Sequence, residues 1–142
     1  MRKVIVTVVG TQRDADGEEN RIELVTVGSR QDKNGVGYIT YRESEISGLE
    51  GTTTLLKVYA DHLTLIRMGA VEQKQEFYPG RKSHCSYITP FGTMEMAVFT
   101  HRLTVEQGDG GSQSLSAGFD LEINGQWQSY NTLTVDIREE TR

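Results

Sequence analysis

Leu115-Ser116-Ala117-Gly118-Phe119-Asp120-Leu121-Glu122-Ile123-Asn124-Gly125 is the stretch that decides the architecture. Leu115, Ala117, Phe119, Leu121 and Ile123 are apolar, whereas Ser114, Ser116, Asp120 and Glu122 between them are polar. This period of two is the mark of a half-buried strand. Asn124-Gly125 follows, the pair best suited to a type I′ hairpin, whose two central residues both need positive φ. Beyond the turn Leu133, Val135 and Ile137 alternate with Thr132, Thr134 and Asp136, so the last two strands are expected to form a hairpin.

The same punctuation extends back toward the N-terminus. Asp16-Gly17 separates an expected strand over 3–12 from one over 21–29, and Asn34-Gly35 separates that from a third over 37–45. A connector holding one helical turn around 44–49 leads to strands over 52–60, 63–68 and 72–78. Tyr78-Pro79-Gly80-Arg81 has the residues of a type II turn, and Thr89-Pro90-Phe91-Gly92 suits type I. These turns bracket a short strand over 82–88, and a long one over 93–107 ends at the glycine-rich loop Gly108-Asp109-Gly110-Gly111-Ser112. Eight to ten sequential strands with almost no helix would expose long free edges unless the sheet closed on itself. The expected fold is therefore all-β, a single up-and-down antiparallel barrel spanning residues 1–142 as one domain, with a two-sheet sandwich as its rival.

Composition narrows the function classes. The 142 residues carry 20 acidic and 15 basic side chains, a net charge of −5 scattered over the chain, and lack the basic stripe that a phosphate backbone needs. Nucleic-acid binding is disfavoured. Mean hydropathy is negative and no long apolar run or signal-peptide pattern occurs, so neither a membrane span nor secretion is expected. Cys85 is the single cysteine, which fits a reducing cytoplasm. His62, His84 and His101 have no metal-ligand spacing, and neither a P-loop nor a dinucleotide fingerprint is present, so no metal or cofactor is expected. His84 and Cys85 are strand neighbours pointing to opposite faces, which removes them as a nucleophile and base. The carboxylate pairs Glu72 with Glu76 and Glu18 with Glu19 read as solvated surface.

Several segments resemble the YwiB-like family of small bacterial proteins, a domain of unknown function with a calycin- or lipocalin-like fold. They are Gly51-Thr52-Thr53-Thr54-Leu55-Leu56-Lys57-Val58, Arg67-Met68-Gly69, Phe77-Tyr78-Pro79-Gly80, Tyr87-Ile88-Thr89-Pro90-Phe91-Gly92 with Thr100, and Asn131-Thr132-Leu133. The resemblance implies a closed or nearly closed antiparallel barrel in the cytoplasm. It brings no activity and no catalytic residues.

The residues that point to a function are arginines on apolar strand faces. Leu63, Leu65 and Arg67 share one face by alternation, as do Met94, Met96, Val98 and, further along, Arg102. If those faces are interior, two guanidinium groups enter the barrel, and a buried cation needs a partner with which it can form paired hydrogen bonds. The partner is a ligand, or for Arg67 an internal Glu43 or Glu95, or water at the rim. Tyr41, Tyr87 and Tyr130 would add hydroxyl donors, and Met94 and Met96 a pliable apolar wall. The leading expectation is a noncatalytic barrel holding a small amphipathic or anionic molecule through Arg67, Arg102, Tyr41, Tyr87 and Tyr130. The alternative is a protein-interaction or self-association module, a homodimer for instance. It would use the outer face of the long strand and of the first strand, where Val4, Val6 and Val8 oppose Ile5 and Val9. Enzyme activity ranks third. The long strand is apolar on both faces (Ala97, Phe99, Leu103 and Val105 against Met94, Met96 and Val98), so its inner face is undecided from alternation.

Overall fold

The computed structural model describes residues 1–140. The alternating segments become ten strands: β1 (Arg2–Asp14), β2 (Glu19–Lys33), β3 (Val36–Arg42), β4 (Thr52–Val58), β5 (Leu63–Gly69), β6 (Gln73–Phe77), β7 (Lys82–Thr89), β8 (Gly92–Gln107), β9 (Gln113–Ile123) and β10 (Gln126–Glu139). A 3₁₀ turn at Glu45–Ser47, capped by the Ser44 hydroxyl, occupies the expected connector. Another at Asp109–Gly111 sits in the glycine-rich loop. Asn34 and Gly35 have φ of 54° and 79°, and Asn124 and Gly125 of 51° and 84°, the doubly positive geometry that selects Asn-Gly at type I′ hairpins.

All ten strands belong to one antiparallel sheet in the order β6-β5-β4-β3-β2-β1-β10-β9-β8-β7. Chain order thus runs around the wall, and β1 lies against β10 from Val4↔Glu139 to Asp14↔Ser129. The sheet curls until its end strands β6 and β7 meet, giving a nearly closed barrel. Backbone pairing there is reduced to a bridge between Glu72 and Ile88, each amide donating to the other's carbonyl at 2.9 Å. Side chains fasten the rest of this seam. Gln75 Nε2 donates to the Ser83 carbonyl at 3.3 Å and to the Glu76 carbonyl at 3.0 Å, and the Cys85 thiol donates to Gln75 Oε1 at 2.9 Å.

Inward residues of every strand build one core. Val4, Val6, Ile39, Leu56, Leu115, Val135 and Ile137 are fully shielded, and Phe77 meets Phe119 edge to face at 5.0 Å. The two faces of β8 are resolved by a β-bulge between Thr100 and Arg102. Met96 and Val98 point inward before it; after it the phase reverses, so Leu103 and Val105 face in opposite Ala117 and Leu115. One inserted residue therefore brings Leu103 and Val105 inward, while Ala97 and Phe99 ahead of it stay on the outer face.

The histidines are separated by the fold. His62 is sandwiched between Tyr59 and Tyr78 at 4.1 and 4.2 Å, His84 is exposed, and His101 lies on the outer face 2.7 Å from Asp120. Adjacent Cys85 is half-buried and faces inward, as alternation requires.

Candidate functional site in the barrel interior

The core packs one half of the barrel and leaves the other half hollow. A cavity of about 460 Å³ opens between the ends of β1, β2 and β5 to β10. Ile22, Gln12 and Asn20, all solvent-exposed, mark its mouth. Met94, Met96, Val98, Phe119 and Leu121 form the apolar wall, and Arg67, Gln73, Gln75 and Tyr87 supply the polar one.

A polar row crosses four strands at this level. Tyr41 stands opposite Thr54, Thr54 opposite Arg67, and Arg67 opposite Gln73. The Arg67 side chain is 22% exposed and Glu43, beside it, 4%. Thr54 donates its hydroxyl to Glu43 at 2.5 Å, and Arg67 Nε lies 4.0 Å from the same carboxylate oxygen. Burial and the Glu43 charge together push the Tyr41 phenol well above its ordinary range, so it remains a neutral donor.

Arg67 orients the next group. Its Nη1 donates to Gln73 Oε1 at 2.8 Å, and because a guanidinium has no acceptor, the amide oxygen must face it. Gln73 Nε2 is thereby turned toward sulfur, 3.6 Å from Cys85 Sγ and 3.8 Å from Met96 Sδ. Thiols and thioethers are weak acceptors, so this amide donor is under-satisfied at the cavity wall. Arg67 Nε, fully enclosed, forms no hydrogen bond among the described residues. The polar side of the cavity thus presents hydrogen-bond donors from Arg67 and Gln73. Burial pushes the Cys85 thiol above its usual range, which favours the protonated form that donates a hydrogen bond within the wall.

The five residues expected to bind a ligand are not brought together. Arg67 and Tyr87 line the cavity. Tyr41 is buried in the core next to Glu43. Arg102 and Tyr130 lie outside, which corrects their expected placement. The bulge at Thr100/Arg102 turns the Arg102 side chain to the outer face, where Nη1 donates to Ser116 at 2.8 Å. Tyr130 stands on that face opposite Asp120, which also accepts from Trp127 Nε1 at 3.0 Å. Burial resists ionisation of Asp120, but the hydrogen bonds from Trp127 and His101 outweigh it and hold the carboxyl below its usual range. Gln73 and Gln75 are site residues that polarity alone hid, although they share a strand face with Phe77.

Ten antiparallel strands around a one-ended cavity define a small up-and-down β-barrel protein. The chain belongs to the family described as a domain of unknown function (DUF1934), whose model matches residues 6–135. It is similar to the uncharacterized beta-barrel protein YwiB of Bacillus subtilis (strain 168), with 25% identity over 120 residues, 84% of this chain and 82% of that protein. The crystal structure of the ywiB protein from Bacillus subtilis superimposes with a TM-score of 0.87 at 23% identity, covering 99% of this chain and 93% of that one. That likeness speaks for the fold. Among the described residues, no helix is long and apolar enough to cross a membrane.

Proposed function

We propose that the chain is a noncatalytic binding protein of the cytoplasm whose barrel takes up a small amphipathic anion, its charged end on Arg67 and Gln73 and its apolar part along Met94, Met96 and Phe119. The observation that carries this reading is the under-satisfied Gln73 amide donor beside the Arg67 guanidinium at the wall of a cavity of about 460 Å³, within the ~300–1,000 Å³ of small-molecule sites. An interior cavity at one end of an up-and-down barrel is also how lipocalins hold ligands, an analogy of architecture only. A free thiol at Cys85 and no dependence on disulfides support the cytoplasmic setting.

Native mass spectrometry of protein purified from its host tests this proposal. A copurifying mass is expected on the wild type and a several-fold smaller bound fraction on Arg67→Gln; an adduct of undiminished occupancy would remove the arginine from the site.

A second reading, self-association, is supported by a different surface. β2 pairs with β3 only from Gly28↔Tyr41 onward, so, among the described residues, 19–27 have a strand on one side alone. Val25 and Val27 are 60% and 54% exposed there. A free edge carrying exposed β-branched residues invites pairing. Light scattering over a dilution series is expected to show a dimer that Val25→Lys dissociates; a monomer at high concentration contradicts this reading.

A further inference from the structure

At the end of the barrel opposite the open cavity, Arg30 presents a buried charge that the fold leaves undercompensated. It projects from β2 beside fully buried Ile39, and its side chain is only 8% exposed. Among the described residues its one ionic contact is Nη2 to Asp32 Oδ1 at 3.4 Å, a long contact to a half-exposed carboxylate that Arg2 also engages. Arg2 has a second acceptor, Glu139 Oε1 at 3.2 Å, whereas Arg30 Nε has none among the described residues. A guanidinium removed from water to this degree is stable only when its donors are matched by acceptors.

The space beside it is shaped to supply one. A pocket of about 250 Å³ is lined by Arg30, Asp32, Val58, Tyr59, Gln107 and Gln113. Gln113 is also buried, and its Oε1 makes no hydrogen bond among the described residues. Gly37 keeps the space open: a Cβ there would stand 3.3 Å from Asp32 Oδ1 and 3.9 Å from Arg30 Nη2. One wall therefore offers guanidinium donors and another an unmatched acceptor.

We infer that this end of the barrel is a second site, independent of the Arg67 cavity, for a small oxyanion that carries a hydroxyl group, of which hydrogen phosphate is the simplest. Its bare oxygens accept from Arg30 while its O–H donates to Gln113 Oε1. Sulfate has the same shape and charge but no hydroxyl, so it fits the first contact and not the second.

Isothermal titration of the full chain with inorganic phosphate and, separately, sulfate near neutral pH tests the assignment. Phosphate is expected to bind with one-to-one stoichiometry at least fivefold more tightly than sulfate. Arg30→Gln should weaken phosphate by tenfold or more, and Gln113→Leu should bring phosphate down to the level of sulfate. Arg67→Gln should preserve both the preference for phosphate over sulfate and its loss in Gln113→Leu, which separates this site from the open cavity. If Arg30→Gln does not fold, the Gln113→Leu comparison carries the test. Absence of phosphate binding to the wild type, or equal affinity for phosphate in the wild type and Gln113→Leu, overturns the inference.

Discussion

Replacing Gly69 by alanine is expected to destabilise the barrel by about 2–5 kcal/mol, through backbone strain together with a clash that no side-chain rotation relieves. Gly69 ends β5 with φ of 117°, a region that residues with a Cβ rarely occupy. A Cβ at this position would also lie 2.3 Å from the carbonyl oxygen of Gly51, and that oxygen is fixed because it accepts from the Ala70 amide at 3.2 Å. The β4 and β5 ends would have to part at Thr52↔Gly69, next to the row that carries Arg67. Urea denaturation monitored by circular dichroism is expected to show a midpoint far below that of the wild type, with an unchanged slope if the unfolded state is unaffected. A shift of less than about 1 kcal/mol would show that this contact yields easily.

Gln75→Ala is expected to cost about 2–4 kcal/mol, because it strips partners from several groups along the seam at once and leaves a void. The seam between β6 and β7 has few ladder bonds of its own, so the Gln75 amide substitutes for them by holding the Ser83 carbonyl and the Cys85 thiol from across the gap. The residue is itself 1% exposed. Hydrogen exchange is the informative readout: the amides of β6 and β7 should lose protection well before those of the β1/β10 ladder on the far side of the barrel. Uniform loss of protection around the wall would mean that the seam is no weaker than the rest.

Both effects arise from features that sequence reading reaches only in part. The hairpin of β9 and β10 was legible because alternation is strict from Leu115 to Ile123 and an Asn-Gly pair fixes the turn. Arg67 was legible because no bulge interrupts β5, so parity carried Leu63 and Leu65 inward together with it. Arg102 was misplaced because one inserted residue in β8 reverses parity, and nothing in the local composition marks where the insertion falls. Tyr130 had a usable signal: it shares parity with Thr132, Thr134 and Asp136, the polar face of β10. The glutamines of β6 were missed for the opposite reason, since polar side chains in a short strand resemble surface. Their parity with Phe77 was the available clue, and only closure of the barrel turns that clue into a buried seam.

The geometry also makes the role of charge in the cavity directional. Glu43 competes with any incoming anion for Arg67, so its neutralisation and that of Arg67 must act in opposite senses. Fluorescence titration with 1-anilinonaphthalene-8-sulfonate, an amphipathic anion, measures this on the folded protein. Saturable one-to-one binding is expected for the wild type, tightened by roughly 3- to 10-fold in Glu43→Gln and weakened by roughly 10-fold or more in Arg67→Gln, the scale of a charge-assisted hydrogen bond. No saturable binding, or one affinity shared by all three proteins, would contradict the assignment of the hollow half of the barrel as an anion-receiving site.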